Sequence, residues 1–334
     1  MWFRALAPAA LVLGLLAALP ASAEPPTPHT YSGTDSAYLT PRAGAEQSGP
    51  SVRLGYVKVP APGTYYAELD ATVKNQSVDA VQLVSLSLVC KEESSVADQI
   101  GTRSNIVRGE TLPMSTRVYF TIKDKRGACF AYGTTMGLKS SSKPLTSRRL
   151  LARVTLTISG PVSDRTVESR RFDFDDANRG FSGRSFLAKP KQQAHASELV
   201  TSAAPGSQAF VTGNAYLTTC TFRGGSRDQT TDGRDLCPRS VDAPNGSLVR
   251  ERLLVRQYTP GGSVCATTVV PGSTKQFRIT ARRHHLGTAV EGTISLSAKQ
   301  GCGNRIKVWT EVQVLSGPSV VVHFPATTTG FRPL

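Results

Sequence analysis

Only a few side chains in this chain have the types and spacing that catalysis or metal binding requires. Ser140 and Lys143 stand at the Ser-x-x-Lys spacing, which on a helix would set an amine one turn from a serine nucleophile. Here the tetrapeptide lies in a serine-rich turn before Pro144, with no Ser-Asp-Asn or Lys-Thr-Gly after it, and reads as a solvated loop. The chain contains no Gly-x-Ser-x-Gly, His-Glu-x-x-His, Gly-x-x-x-x-Gly-Lys-Ser/Thr or Gly-x-Gly-x-x-Gly. His284 and His285 are adjacent, and neighbours on a strand point to opposite faces, so they share one metal only in a turn and with a third ligand that the sequence does not supply. Asp228, Asp232 and Asp235 crowd around Gly233, but their order misses the EF-hand pattern and Arg227 and Arg234 dilute the charge. No metal and no cofactor is expected.

The six cysteines, Cys90, Cys129, Cys220, Cys237, Cys265 and Cys302, are even in number and none forms a Cys-x-x-Cys pair. That usage points to disulfides and an oxidising compartment. The first 23 residues agree with it. Met-Trp-Phe-Arg precedes an apolar run from Ala5 to Leu19, and Ala21-Ser22-Ala23 supplies a cleavage site, so 1–23 is expected to be a signal peptide and the mature chain to begin at Glu24. No other stretch is apolar enough to span a bilayer.

Charge supplies the remaining candidates. The 334 residues carry a net charge of +15. Acidic residues prevail between 24 and 100, whereas the chain from 101 onward is strongly cationic. In Leu248 to Tyr258, period-two alternation places Arg250, Arg252 and Arg256 on one strand face and Val249, Leu253 and Val255 on the other. In Arg305 to Val314, Lys307, Trp309, Glu311 and Gln313 share the polar face beside Arg305. Trp309 is the only tryptophan after the leader. An exposed indole among these cations would form a ligand face of Trp309, Arg250, Arg252, Arg256, Arg305 and Lys307. The competing expectation for a lone large aromatic is burial.

The elements that must position these residues are strands. Val84, Leu86, Leu88 and Cys90 alternate with polar positions, as do Val118, Phe120 and Ile122, and Val154, Leu156 and Ile158. No helical period persists after the leader. The expected fold class is all-β: two tandem disulfide-tied β-sandwiches, for which an immunoglobulin-like order is one form, related by internal duplication.

Four landmarks support that duplication. They are Ala37-Tyr38-Leu39-Thr40 with Ala215-Tyr216-Leu217-Thr218, Cys90 with Cys265, Cys129 with Cys302, and Ser159-Gly160-Pro161 with Ser316-Gly317-Pro318. The duplication selects the pairing Cys90–Cys129, Cys265–Cys302 and Cys220–Cys237. The expected boundaries are a tail at 24–29, a first domain at 30–174, a linker at 175–206 and a second domain at 207–334.

The sequence therefore suits an exported, non-enzymatic binding protein whose basic surface meets an anionic envelope polymer, an anionic glycan or an acidic protein. Nucleic acid is expected to bind only non-specifically. Two alternatives stay open: an exported hydrolase with a site assembled from loops, and an accessory protein whose charge serves solubility.

Overall fold

The computed structural model describes residues 29–41, 49–92, 96–124, 126–137, 144–162, 165–170, 186–220, 237, 243, 245–323 and 327–334. The expected signal peptide and its cleavage site, Ser140 to Lys143, the Asp228–Asp235 cluster and residues 175–185 of the expected linker lie outside them. No helix among the described residues is long and apolar enough to cross a membrane.

The first lobe contains eight strands: β1 (His29–Leu39), β2 (Val52–Val59), β3 (Gly63–Asn75), β4 (Val81–Lys91), β5 (Val96–Val107), β6 (Thr111–Ile122), β7 (Gly127–Gly137) and β8 (Leu150–Val162). One sheet has the order β1-β8-β3-β6, and facing it run β5-β4-β7-β2. With its first strand beside its last in one sheet, this is the order of a jelly roll rather than of an immunoglobulin domain. The alternating apolar positions meet between the sheets, with Leu54, Leu69, Leu86, Leu88, Ile106 and Leu156 at most 1% exposed. Cys90 and Cys129 stand directly opposite each other on β4 and β7, inside that core.

The second lobe is built from β9 (Val167–Arg170), β10 (Phe186–Ala188), β11 (Gln193–Ser202), β12 (Gln208–Thr219), β13 (Ser247–Tyr258), β14 (Val264–Val269), β15 (Lys275–Ile279), β16 (His285–Ser295), β17 (Arg305–Ser316), β18 (Val320–Val322) and β19 (Thr328–Pro333). One sheet follows β11-β17-β13-β14, with β15 also on β13; β12 pairs with β16, β18 and β19 in the other. The arrangement β11-β17-β13 repeats β1-β8-β3, and the β12–β16 pair repeats β2–β7. The duplication is thus visible in topology. Ser159-Gly160-Pro161 and Ser316-Gly317-Pro318 close the equivalent strands β8 and β17, whereas the Ala-Tyr-Leu-Thr motifs fall on β1 and β12, in non-equivalent sheets. All three disulfides pair as the sequence suggests.

The boundaries differ from those expected. β9 pairs with β19, so 167–170 belongs to the second lobe, and β10 and β11 fall within the expected linker. Lys189-Pro190-Lys191 marks only the turn between these two strands, and Ala194, Ala196 and Leu199 are buried in the second core.

The lobes share one sheet, because β16 meets β5 at Leu286 and Ser104. Gly287 permits this approach, since a Cβ there would lie 1.8 Å from the Thr102 hydroxyl oxygen and 3.1 Å from the Arg103 backbone nitrogen. The outer face of the β1-β8-β3-β6 sheet also packs on the second lobe. Arg117 on β6 reaches Asp70 at 2.9 Å, Glu291 at 3.1 Å and Glu68 at 3.6 Å, and the Tyr66 hydroxyl donates to Glu291 at 2.6 Å. Asn214 acts as a substitute strand partner: its side-chain oxygen accepts from Arg117 N at 2.9 Å and its amide donates to Arg117 O at 2.6 Å. Burial opposes the charge on Arg117, but Tyr66, Asp70 and Glu291 outweigh it and raise the guanidinium above its ordinary pKa.

Candidate functional site

Strand alternation delivers the predicted cations to one surface. On the outer face of the β11-β17-β13 sheet, Arg250 lies opposite Gln313, Arg252 opposite Glu311, Leu254 opposite Trp309, and Arg256 opposite Lys307. The next pair along this face is Tyr258 and Arg305, whose guanidinium lies 5.2 Å from the tyrosine ring centre. From Arg250 to Arg256 the stripe runs about 20 Å, at roughly 3.4 Å per residue.

Two carboxylates temper it. Glu311 accepts from Arg252 at 2.7 Å and is 4.0 Å from Arg250, which also hydrogen-bonds Gln313. Glu198 meets Lys307 at 2.7 Å and His195 at 2.9 Å. Burial pushes the Glu198 carboxyl up, but those two hydrogen bonds prevail and hold it below the ordinary range. His195 and Glu198 would face opposite ways on a regular strand, being three residues apart. The bulge between His195 and Ser197 turns both outward.

That pairing explains where the structure departs from an exposed indole. Trp309 does point outward, yet it is 2% exposed. Arg256 lies 5.2 Å over the ring and His195 4.9 Å from it, so long polar side chains roof the aromatic. Its Nε1–H has no hydrogen-bond partner among the described residues. The face therefore presents Arg250, Arg252, Arg256, Arg305 and Lys307 to solvent, with Trp309 as a floor beneath them.

Glu251 was not among the expected site residues. It occupies the inward face of β13 between Val249 and Leu253, fully buried, with neither carboxyl oxygen in hydrogen-bond geometry among the described residues. Burial pushes it up to about 7, and the Thr288 hydroxyl and Lys275 ammonium only partly offset this. The signal was present in the sequence as a charge interrupting an apolar alternation.

Three histidines of the second lobe lie against neighbouring polar or aromatic side chains. His284 is buried, and its ring meets His285 edge-on at 4.7 Å. His285 Nδ1 lies 2.5 Å from the Tyr216 hydroxyl, and His323 Nε2 lies 2.8 Å from the Thr218 hydroxyl. Among the described residues, no three His, Cys, Asp or Glu side chains converge as a metal site.

No family model and no curated protein matches this chain. Three solved structures align with it at low similarity. The tandem N-terminal CBM22 domains of Paenibacillus barcinonensis Xyn10C align at 9% identity over 92% of this chain and 94% of theirs, with a TM-score of 0.27. The structure of PNGF-II aligns at 7% identity over 91% of this chain and 65% of its own, with a TM-score of 0.35. Infectious bursal disease virus VP2 aligns at 10% identity over 95% and 79%, with a TM-score of 0.27.

Proposed function

We propose that this chain is an exported binding protein that holds an anionic polymer on the outer face of its β11-β17-β13 sheet. The supporting observation is the gathering of Arg250, Arg252, Arg256, Arg305 and Lys307 on that single face, against only Glu198 and Glu311. Five cations less two carboxylates leave this stripe net positive, which favours capture of a flexible polyanion through many weak contacts. Three disulfides suit an extracellular setting.

Affinity for heparin, measured across a salt series, tests this reading. Binding should weaken steeply with salt, and combined Arg250→Gln, Arg256→Gln and Arg305→Gln changes should lower affinity at least tenfold and flatten the salt dependence. Equal affinity in the triple variant would show that the attraction arises elsewhere on a basic protein.

A further inference from the structure

The seam between the lobes opens into a cleft of about 600 Å³. Clefts of about 300–1,000 Å³ at domain boundaries are the usual places where small molecules are enclosed. One wall is the outer face of the β1-β8-β3-β6 sheet. Strand register there aligns Thr34, Thr155, Asp70 and Ser115 in one row across four strands. Thr34 and Thr155 already share a hydroxyl contact of 3.2 Å. The row is about 14 Å long at roughly 4.8 Å per strand. It offers hydroxyls that both donate and accept, and one carboxylate that accepts.

The opposite wall comes from β15 and β16 and presents Lys275, Phe277, Leu286 and Thr288. Arg153 stands beside the hydroxyl row, opposite Thr72, and makes no ion pair among the described residues. Lys275 donates to Ala289 O at 2.5 Å, which leaves two of its three donors for a ligand. The Asp70 charge is already answered by Arg117 at 2.9 Å. The cleft therefore meets a ligand with two cations, a line of hydroxyls and one aromatic side chain.

We infer that this interlobe cleft is a binding site for a short acidic oligosaccharide. Sugar hydroxyls would match the Thr34–Thr155–Asp70–Ser115 row, a ring carboxylate would lie between Arg153 and Lys275, and the C–H face of a ring would cover Phe277. A carboxylate suits the planar guanidinium fork of Arg153. A neutral sugar would give Arg153 no ionic partner. The site is separate from the arginine stripe and does not depend on a polymer binding there.

Calorimetric titration of the full mature chain with trigalacturonate, and with its fully methyl-esterified form, tests the assignment. Saturable binding of the acid is expected, with the ester at least tenfold weaker. Arg153→Gln and Thr155→Val should each weaken the acid at least tenfold without lowering Tm, whereas Arg256→Gln on the other face should leave it unchanged. The inference is overturned if the acid does not bind, if the ester binds equally well, or if Arg256→Gln abolishes binding while Arg153→Gln does not. Loss of heparin affinity in the stripe variants, with trigalacturonate binding intact, would separate the two sites.

Discussion

The Arg256 guanidinium lies 5.2 Å above the Trp309 indole, on the solvent side of a strand pair, and the ring beneath it is 2% exposed. Truncating the floor and truncating the roof should then differ in effect. Trp309→Ala removes a buried aromatic and should destabilise the fold by about 3–5 kcal/mol. Arg256→Ala removes a cation–π contact worth about 0.5–1 kcal/mol at an exposed site. Urea unfolding of the two variants measures both; similar losses would mean that the indole is not part of the packing.

Glu251 should make stability depend on pH. Its ordinary value is 4.5 and burial raises it to about 7 in the folded chain. Below pH 4.5 both states hold the proton and the residue costs nothing. Between 4.5 and 7 the unfolded chain loses its proton while the folded chain keeps it, so stability falls as pH rises, by about 3 kcal/mol in all at 1.36 kcal/mol per pKa unit. Glu251→Gln should match the parent near pH 4 and exceed it at pH 8. Denaturant midpoints at the two pH values check this, and parallel curves would refute it.

The shared sheet and the Arg117 cluster should make the lobes melt together. Calorimetry is expected to show one transition for both. Arg117→Met leaves Glu68, Asp70 and Glu291 without their shared cation at the seam and should lower stability by about 1–3 kcal/mol, because water partly screens these half-exposed carboxylates. Gly287→Val should have a related effect through its collision with Thr102 and Arg103. Two separate transitions in the parent protein would contradict a common cooperative unit.

Access should order the reduction of the disulfides. Cys90 and Cys129 are 1% and 0% exposed, whereas Cys265 and Cys302 are half-buried at the surface. Under mild reductant, alkylation and mass mapping should find Cys265 and Cys302 labelled well before Cys90 and Cys129. Without reductant, no cysteine should be labelled even in denaturant.

Period-two patterning was sufficient to read β4, β6 and β8, because each buries one face of a sandwich. The cysteine pairing was legible too, although the reason was partly fortuitous: Cys129 lies on β7 while Cys302 precedes β17, so the two are not equivalent positions in the repeat. The sequence was misleading where tertiary contact overrides local chemistry. Lys189-Pro190-Lys191 suggested a linker, and only pairing with β17 makes β11 a strand. The face of Trp309 was readable and its burial was the competing expectation, but what covers it was not legible, since His195 comes from that same misread segment. Arg117 resembled any solvated strand residue because the surface that covers it is nearly 100 to 175 residues away, on Asn214 and Glu291.

The sheet junction also has a temporal side. The first lobe closes both of its sheets using only residues 29–162, so it can be completed while the remainder of the chain is still emerging. Among the described residues the second lobe has no counterparts of β4 and β5, and the edge of β16 is met by β5 of its neighbour. A chain starting at 186 would be left with that edge unpaired, and exposed edges invite pairing with other chains. The N-terminal lobe thus serves as a template for its successor, and a fragment of the second lobe made alone should self-associate.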